Sequence, residues 1–221
     1  MIKKSRYIHS EFVKTYQKRL SDIFESYEEQ LNVDMIFYRA QLGSNNDNPK
    51  YEALLPHSKQ RMIPWKDKAS EGRINPKGIP CFYMASDFET SIKEIGPKFN
   101  DYISVAELKL DQTLNVVSMI QPRILVQPLY SKDDGRRFFQ QYLNDDFTKP
   151  ISNTDDCADY VPTQVIAELI KSKGYNGIKY KSSVGEGENI ALFDVGIAER
   201  LFSDENISLY QMNDIFLTKI L

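Results

Sequence analysis

A chain of 221 residues, 41% of them hydrophobic, can bury one substantial core, and one domain is expected because single domains commonly run to about 200 residues. A formal net charge of -3 argues against a nucleic-acid binder working by bulk electrostatics, and two cysteines, Cys81 and Cys157, are too few for a disulfide framework. No apolar stretch approaches the roughly 20 residues of a membrane span, and the first residues lack the apolar core of a signal peptide, so a cytoplasmic protein without membrane contact is expected. His9 and His57 lie far apart without Cys or His companions, so no metal site is expected.

In chain order, Ser10 is placed to cap a helix reaching to about Leu31. Phe12, Tyr16, Leu20, Phe24 and Tyr27 recur at helical spacing along it. Residues 1–33 are expected to be a helical extension packed on a single domain of residues 34–221. Met35 to Ala40 reads as a strand with Arg39 near its end. An arginine on an apolar strand is costly to bury without an anion, so it either snorkels to the surface or meets a ligand. From Lys59 to Lys77 the chain is locally basic, which suits either a solvated loop or an anion site.

The stretch Gly72 to Glu94, GRINPKGIPCFYMASDFETSIKE, gathers three kinds of element. A Gly/Pro/Asn-punctuated turn carries Arg73 and Lys77. Ile79 to Ala85 reads as a buried strand bearing Tyr83. Ser86 and Glu89 have capping-box spacing and open a helix that bears Glu94. On that helix Phe88, Ile92 and Ile95 form the apolar stripe, and Glu94 lies roughly 120° around from Phe88, on the flank. From there it faces either a cleft rim or plain solvent.

Gly96 and Pro97 end the helix. Strands follow over Asp101 to Leu110 and Leu114 to Val117 and within Arg123 to Leu129, then a short helix over Ser131 to Asp145. Asp145, Asp146, Asp155, Asp156 and Asp159 form an acidic connection, but their spacing matches no calcium loop. Pro162 opens a helix that Gly174 terminates. Strands are expected over Gly177 to Lys181 and Asn189 to Asp194, joined by a loop with Ser182 and Ser183. That loop is either a plain hairpin connection or a source of hydroxyls and N–H groups for a phosphate or ribose. Further strands are expected in the tail, as over Ser208 to Lys219.

No phosphate-loop lysine motif, Rossmann fingerprint or serine-nucleophile elbow occurs. What remains is Arg39, Arg73, Tyr83, Glu94 and the Ser182/Ser183 loop. Guanidinium forks suit a pyrophosphate, an aromatic face suits a base or pyridinium ring, and a single carboxylate suits positive charge developing at a sugar C1. Together they describe cleavage of a nucleotide glycosidic bond.

The sequence resembles the RES-domain family in FYRAQ at 37–41, GRINPKGIPCFYMASDFETSIKE at 72–94, PTQVIAELIKSKGYNGIKYKSS at 162–183 and ENIALF at 188–193. The resemblance implies an α/β fold similar to ADP-ribosyltransferases, with split mixed or antiparallel sheets and flanking helices. It implies a toxin of a toxin–antitoxin system that degrades NAD at the nicotinamide–ribose bond by hydrolysis or phosphorolysis, with NAD as substrate rather than cofactor and a cognate antitoxin as partner, of helix-turn-helix type in one form. Carried over, Arg39 and Arg73 hold the NAD phosphates, Tyr83 packs near nicotinamide, and Glu94 is the catalytic carboxylate. Ser182, or Ser183 one position on, meets the nicotinamide ribose or amide. Transfer of ADP-ribose to a protein is the alternative reaction. A non-catalytic module docking an acidic partner through the basic loop, Lys66 and Lys68 included, is the alternative of another class.

Overall fold

A computed structural model describes residues 24–45, 54–65, 69–120, 145–149 and 160–213. The expected elements at 123–129, 131–144 and 214–219 lie outside them, as do His9, Lys66, Lys68, Asp155, Asp156, Cys157 and Asp159. So does most of the expected N-terminal helix. The end of that helix is corrected. Glu28–Leu31 form strand β1, because their backbone pairs antiparallel with a distant strand, β5 (Leu114–Ser118), through Glu28↔Val117 to Leu31↔Leu114. A ladder to a far partner overrides helical spacing when it also buries Leu31.

The other strands are β2 (Ile36–Leu42), β3 (Phe82–Ala85), β4 (Tyr102–Lys109), β6 (Gly177–Lys181), β7 (Glu188–Leu192) and β8 (Ile207–Gln211). Helices among the described residues include α1 (Lys59–Met62), α2 (Phe88–Ile95), α3 (Val161–Ser172) and α4 (Val195–Leu201). The result is a mixed α/β fold with one sheet ordered β1-β5-β6-β7-β3-β2-β4-β8. Among the described strands every pairing is antiparallel except β5 with β6. The expected split survives as a seam rather than as two separate sheets, since β2 and β3 share the single register pair Tyr38↔Ala85.

Alternation sends the two faces of the sheet to different cores. Phe82, Met84, Ile190 and Leu192 bury against Ile197, Ala198 and Leu201 of α4. Cys81, Ile178 and Ala191 bury against Ala167, Leu169 and Ile170 of α3. Phe88, Ile92 and Ile95 of α2 cover Ala40, Ile103 and Val105.

Three local expectations shift. The cap of α2 is Asp87, whose side chain accepts from Thr90 N at 2.8 Å, in place of the expected Ser86–Glu89 box. Ser86 is taken by the sheet: its N–H donates to the Glu188 carbonyl, and its hydroxyl accepts from Glu188 N. Strand β3 begins at Phe82 rather than Ile79, after the Gly78 turn and Pro80. In the tail, Val195–Leu201 is helical because Asp194 caps it and Ile197, Ala198 and Leu201 share a buried face, and among the described tail residues the strand is Ile207–Gln211. The helix after Pro162 and the strand from Gly177 fall where the sequence places them.

Candidate functional site

At the β2–β3 seam a cleft of about 260 Å³ opens. Tyr38, Arg39 and Ala40 line it from β2, and Tyr83, Met84 and Ala85 from β3. Gly72 and Arg73 come from the preceding turn, Ser91, Glu94 and Ile95 from α2, and Tyr180 and Asn189 from β6 and β7. Of the residues expected from sequence, Arg39, Arg73, Tyr83 and Glu94 therefore share one cleft.

Arg39 sits where the two strands part. Its Nη1 donates to the Tyr83 carbonyl at 2.7 Å and its Nε to the Met62 carbonyl at 2.8 Å. Its guanidinium lies 5.0 Å from the Phe82 ring centroid. It neither snorkels away nor stands idle: it satisfies carbonyls at the seam. Burial, with Arg61 nearby, brings its pKa down to about 10, so it remains a cation at neutral pH.

The Arg73 turn is fastened by α3. Thr163 Oγ1 donates to the Arg73 carbonyl at 2.6 Å, and Gln164 Nε2 donates to the Gly72 carbonyl at 2.8 Å. Arg73 Nη1 donates to the Asp146 carbonyl at 2.6 Å, and its guanidinium lies 5.6 Å from the Tyr160 ring centroid. The Tyr83 hydroxyl donates to Asn75 Oδ1 at 2.6 Å. Burial pushes the phenol well above its usual pKa, so it stays protonated and offers a fixed aromatic wall rather than a base. Gly72 keeps this corner open, since a Cβ there would stand 3.1 Å from both the Tyr83 hydroxyl and Asn75 Oδ1.

Glu94 is aimed by the other side of the sheet. Its Oε1 accepts from Ser182 Oγ at 2.6 Å and from Asn189 Nδ2 at 2.6 Å. The flank position on α2 thus faces the cleft rim, not open solvent alone. Of the two serines, Ser182 is buried and reaches Glu94, whereas Ser183 is exposed.

Sequence reasoning passed over Asn75, Tyr180 and Asn189 as individuals, although each lies inside a quoted block. A usable signal existed for Asn189: an amide opening an apolar strand needs a partner once buried. Among the described residues no group of three or more His, Cys, Asp or Glu side chains is placed to hold a metal ion.

A family model described as "RES domain" matches residues 50–208, more than half of the chain. Arg73, Tyr83, Glu94 and Ser182 lie within the matched span, and Arg39 precedes it. Among solved structures, the chain is similar to one titled "Crystal structure of the M.tuberculosis MbcT-MbcA toxin-antitoxin complex". The identity is 13%, the match covers 88% of this chain and 92% of that one, and the TM-score is 0.48. No curated protein matches the chain.

Proposed function

The chain belongs to the RES-domain family, and from that membership we propose that it cleaves the bond between nicotinamide and ribose in NAD, as the toxin of a toxin–antitoxin pair. The observation that carries the reading is the carboxylate of Glu94, held by two donors on the rim of a cleft that also contains Arg39, Arg73 and Tyr83.

As the glycosidic bond loosens, nicotinamide leaves with the bonding electron pair and becomes neutral, and positive charge moves onto the ribose C1. A carboxylate fixed before the reaction stabilises that charge without reorganisation, which is where electrostatic catalysis gains most. Arg39 and Arg73 supply positive charge for the pyrophosphate, and a guanidinium keeps that charge at any physiological pH. Tyr83 and Tyr180 give aromatic faces for the pyridinium ring, whose cationic form favours such a face. Water attacking C1 yields ADP-ribose and a proton, whereas phosphate attacking C1 yields the phosphorylated sugar.

NAD is then a substrate consumed, and the partner is a small antitoxin protein that covers this cleft. The deciding experiment incubates the antitoxin-free protein with NAD, with and without phosphate, and separates the products by chromatography. Free ADP-ribose supports hydrolysis, a phosphate-dependent product supports phosphorolysis, and label from NAD on a protein band supports transfer. Intact NAD with no labelled band overturns the reading.

A further inference from the structure

We propose that Ser182 and Asn189 are positioning residues that aim Glu94, and that Ser182 does not itself touch the nucleotide. The proposal rests on the NAD-cleaving reading of the same cleft and gives that reading its geometry.

A serine hydroxyl has one hydrogen to donate and two lone pairs to accept with. Every one of these is used at Ser182. The hydrogen goes to Glu94 Oε1 at 2.6 Å. The lone pairs receive the N–H groups of Gly185 at 2.9 Å and Val184 at 3.2 Å. With a side chain only 6% exposed, this hydroxyl has nothing left for a ribose or an amide without giving up a bond already made.

Asn189 approaches the same oxygen from β7, 6% exposed itself, and because a carboxylate only accepts here, the atom facing it must be Nδ2. Both donors therefore fall on Oε1, and among the described residues Oε2 accepts no hydrogen bond. The terminal torsion of a glutamate is soft and roughly two-fold. Two donors on one oxygen remove that freedom and leave Oε2 as the oxygen offered to the cleft.

The loop that carries Ser182 is itself docked on the helix that carries Glu94. Gly187 N donates to Thr90 Oγ1 at 3.1 Å, and Glu188 N donates to Ser86 Oγ at 2.9 Å. Gly185 and Gly187 permit this approach, since a Cβ on Gly185 would stand 2.5 Å from Thr90 Oγ1 and one on Gly187 2.7 Å from it. The loop thus serves to orient a carboxylate rather than to cradle a phosphate.

Three measurements on the full chain test this. Ser182→Ala and Asn189→Ala are each expected to lower kcat by about 10- to 100-fold with KM nearly unchanged, as for a misaimed group, and Ser182→Thr, which keeps the hydroxyl, to recover most of the rate. In a Glu94→Ala background, adding Ser182→Ala is expected to leave the Kd for NAD unchanged by calorimetry. A Kd weakened about tenfold there makes Ser182 a substrate contact and overturns the proposal. Urea unfolding of Ser182→Ala, Glu94→Ala and the double variant needs no NAD. The double variant's midpoint is expected to fall by less than the sum of the single falls, and additive falls overturn the clamp. A wild-type protein inert toward NAD sinks the functional reading, while the unfolding cycle still decides whether Ser182 and Glu94 act as a unit.

Discussion

The Tyr83 hydroxyl donates to Asn75 Oδ1 at 2.6 Å, and Asn75 Nδ2 donates in turn to the Ser70 carbonyl at 2.8 Å, so strand β3 is tied to the turn that presents Arg73. Asn75 is 3% exposed, and removing its donor strands a buried acceptor. Tyr83→Phe is therefore expected to lower unfolding stability by about 1–3 kcal/mol while keeping the ring face. Denaturant titration measures the loss. If the ring is what packs on nicotinamide, KM for NAD stays close to wild type in Tyr83→Phe and rises in Tyr83→Ala.

Glu94→Gln isolates charge from shape. The amide oxygen still accepts from Ser182 and Asn189, so the denaturant midpoint is expected to stay near wild type. What disappears is the negative charge facing a developing cation, and turnover of NAD is expected to fall by about 100-fold or more. Chromatographic product counts and circular dichroism on the same preparation check both halves. Full activity in a well-folded Glu94→Gln protein removes Glu94 from the mechanism.

How much of this was legible in the sequence follows from how local each signal is. Pro162 and Gly174 bracket α3, and Gly96, at φ 56°, stops α2, because these residues act on their own backbone. Arg73, Tyr83 and Glu94 were legible as a group because one short stretch holds them all. Strand β1 was not, since what makes Glu28–Leu31 extended is the ladder to Leu114–Val117. Nor was the Asn189–Glu94 bond, which exists only after β7 pairs with β3 through Ala85↔Asn189 and α2 folds back over the sheet. Arg39 was left between a surface and a ligand role. What the sequence could not show, a cation that donates to the carbonyls of Tyr83 and Met62 and still lines the cleft, depends on two strands parting after one shared pair.

Alkaline pH is expected to destabilise the fold, and the sign follows from the buried acids. Cys81 rises from 9.0 to about 12 and Tyr27 from 10.0 to about 12 on burial, and Tyr83 and Tyr180 are also raised. A raised acid keeps its proton in the folded state after the unfolded chain has released its own, so stability falls as pH climbs from about 9 toward 12 for Cys81. Arg39 works the other way. Its pKa is lowered from 12.5 to about 10, so its contribution improves as pH rises through that window. Among the described residues Tyr38, Tyr175 and Lys179 are raised as well, so one lowered arginine opposes five phenols, a thiol and an ammonium, and a net fall is expected. Urea midpoints measured between pH 8 and pH 11 check it, and Cys81→Ala is expected to flatten the slope above about pH 9.

Gly187→Ala tests whether the loop's docking on α2 controls the site. A Cβ at Gly187 would collide with Asp87 Oδ2 and stand 2.7 Å from both Ser86 Oγ and Thr90 Oγ1. Either Asp87 leaves the helix N-terminus, where it accepts from Thr90 N at 2.8 Å, or the loop lifts. Losing the cap costs about 1 kcal/mol, and overpacking costs about 1–3 kcal/mol. Moving Asp87 relieves only its own clash and leaves the Cβ crowded by Ser86 Oγ and Thr90 Oγ1, and the Gly187 carbonyl accepts from Ser182 N at 3.1 Å, so a loop that lifts drags Ser182 from Glu94. Gly187→Ala is therefore expected to lower both the urea midpoint and kcat. Val184→Ala, at an exposed position of the same loop, is expected to leave both unchanged. A Gly187→Ala protein with a lowered midpoint and wild-type kcat would show that the loop stabilises the fold without aiming the carboxylate.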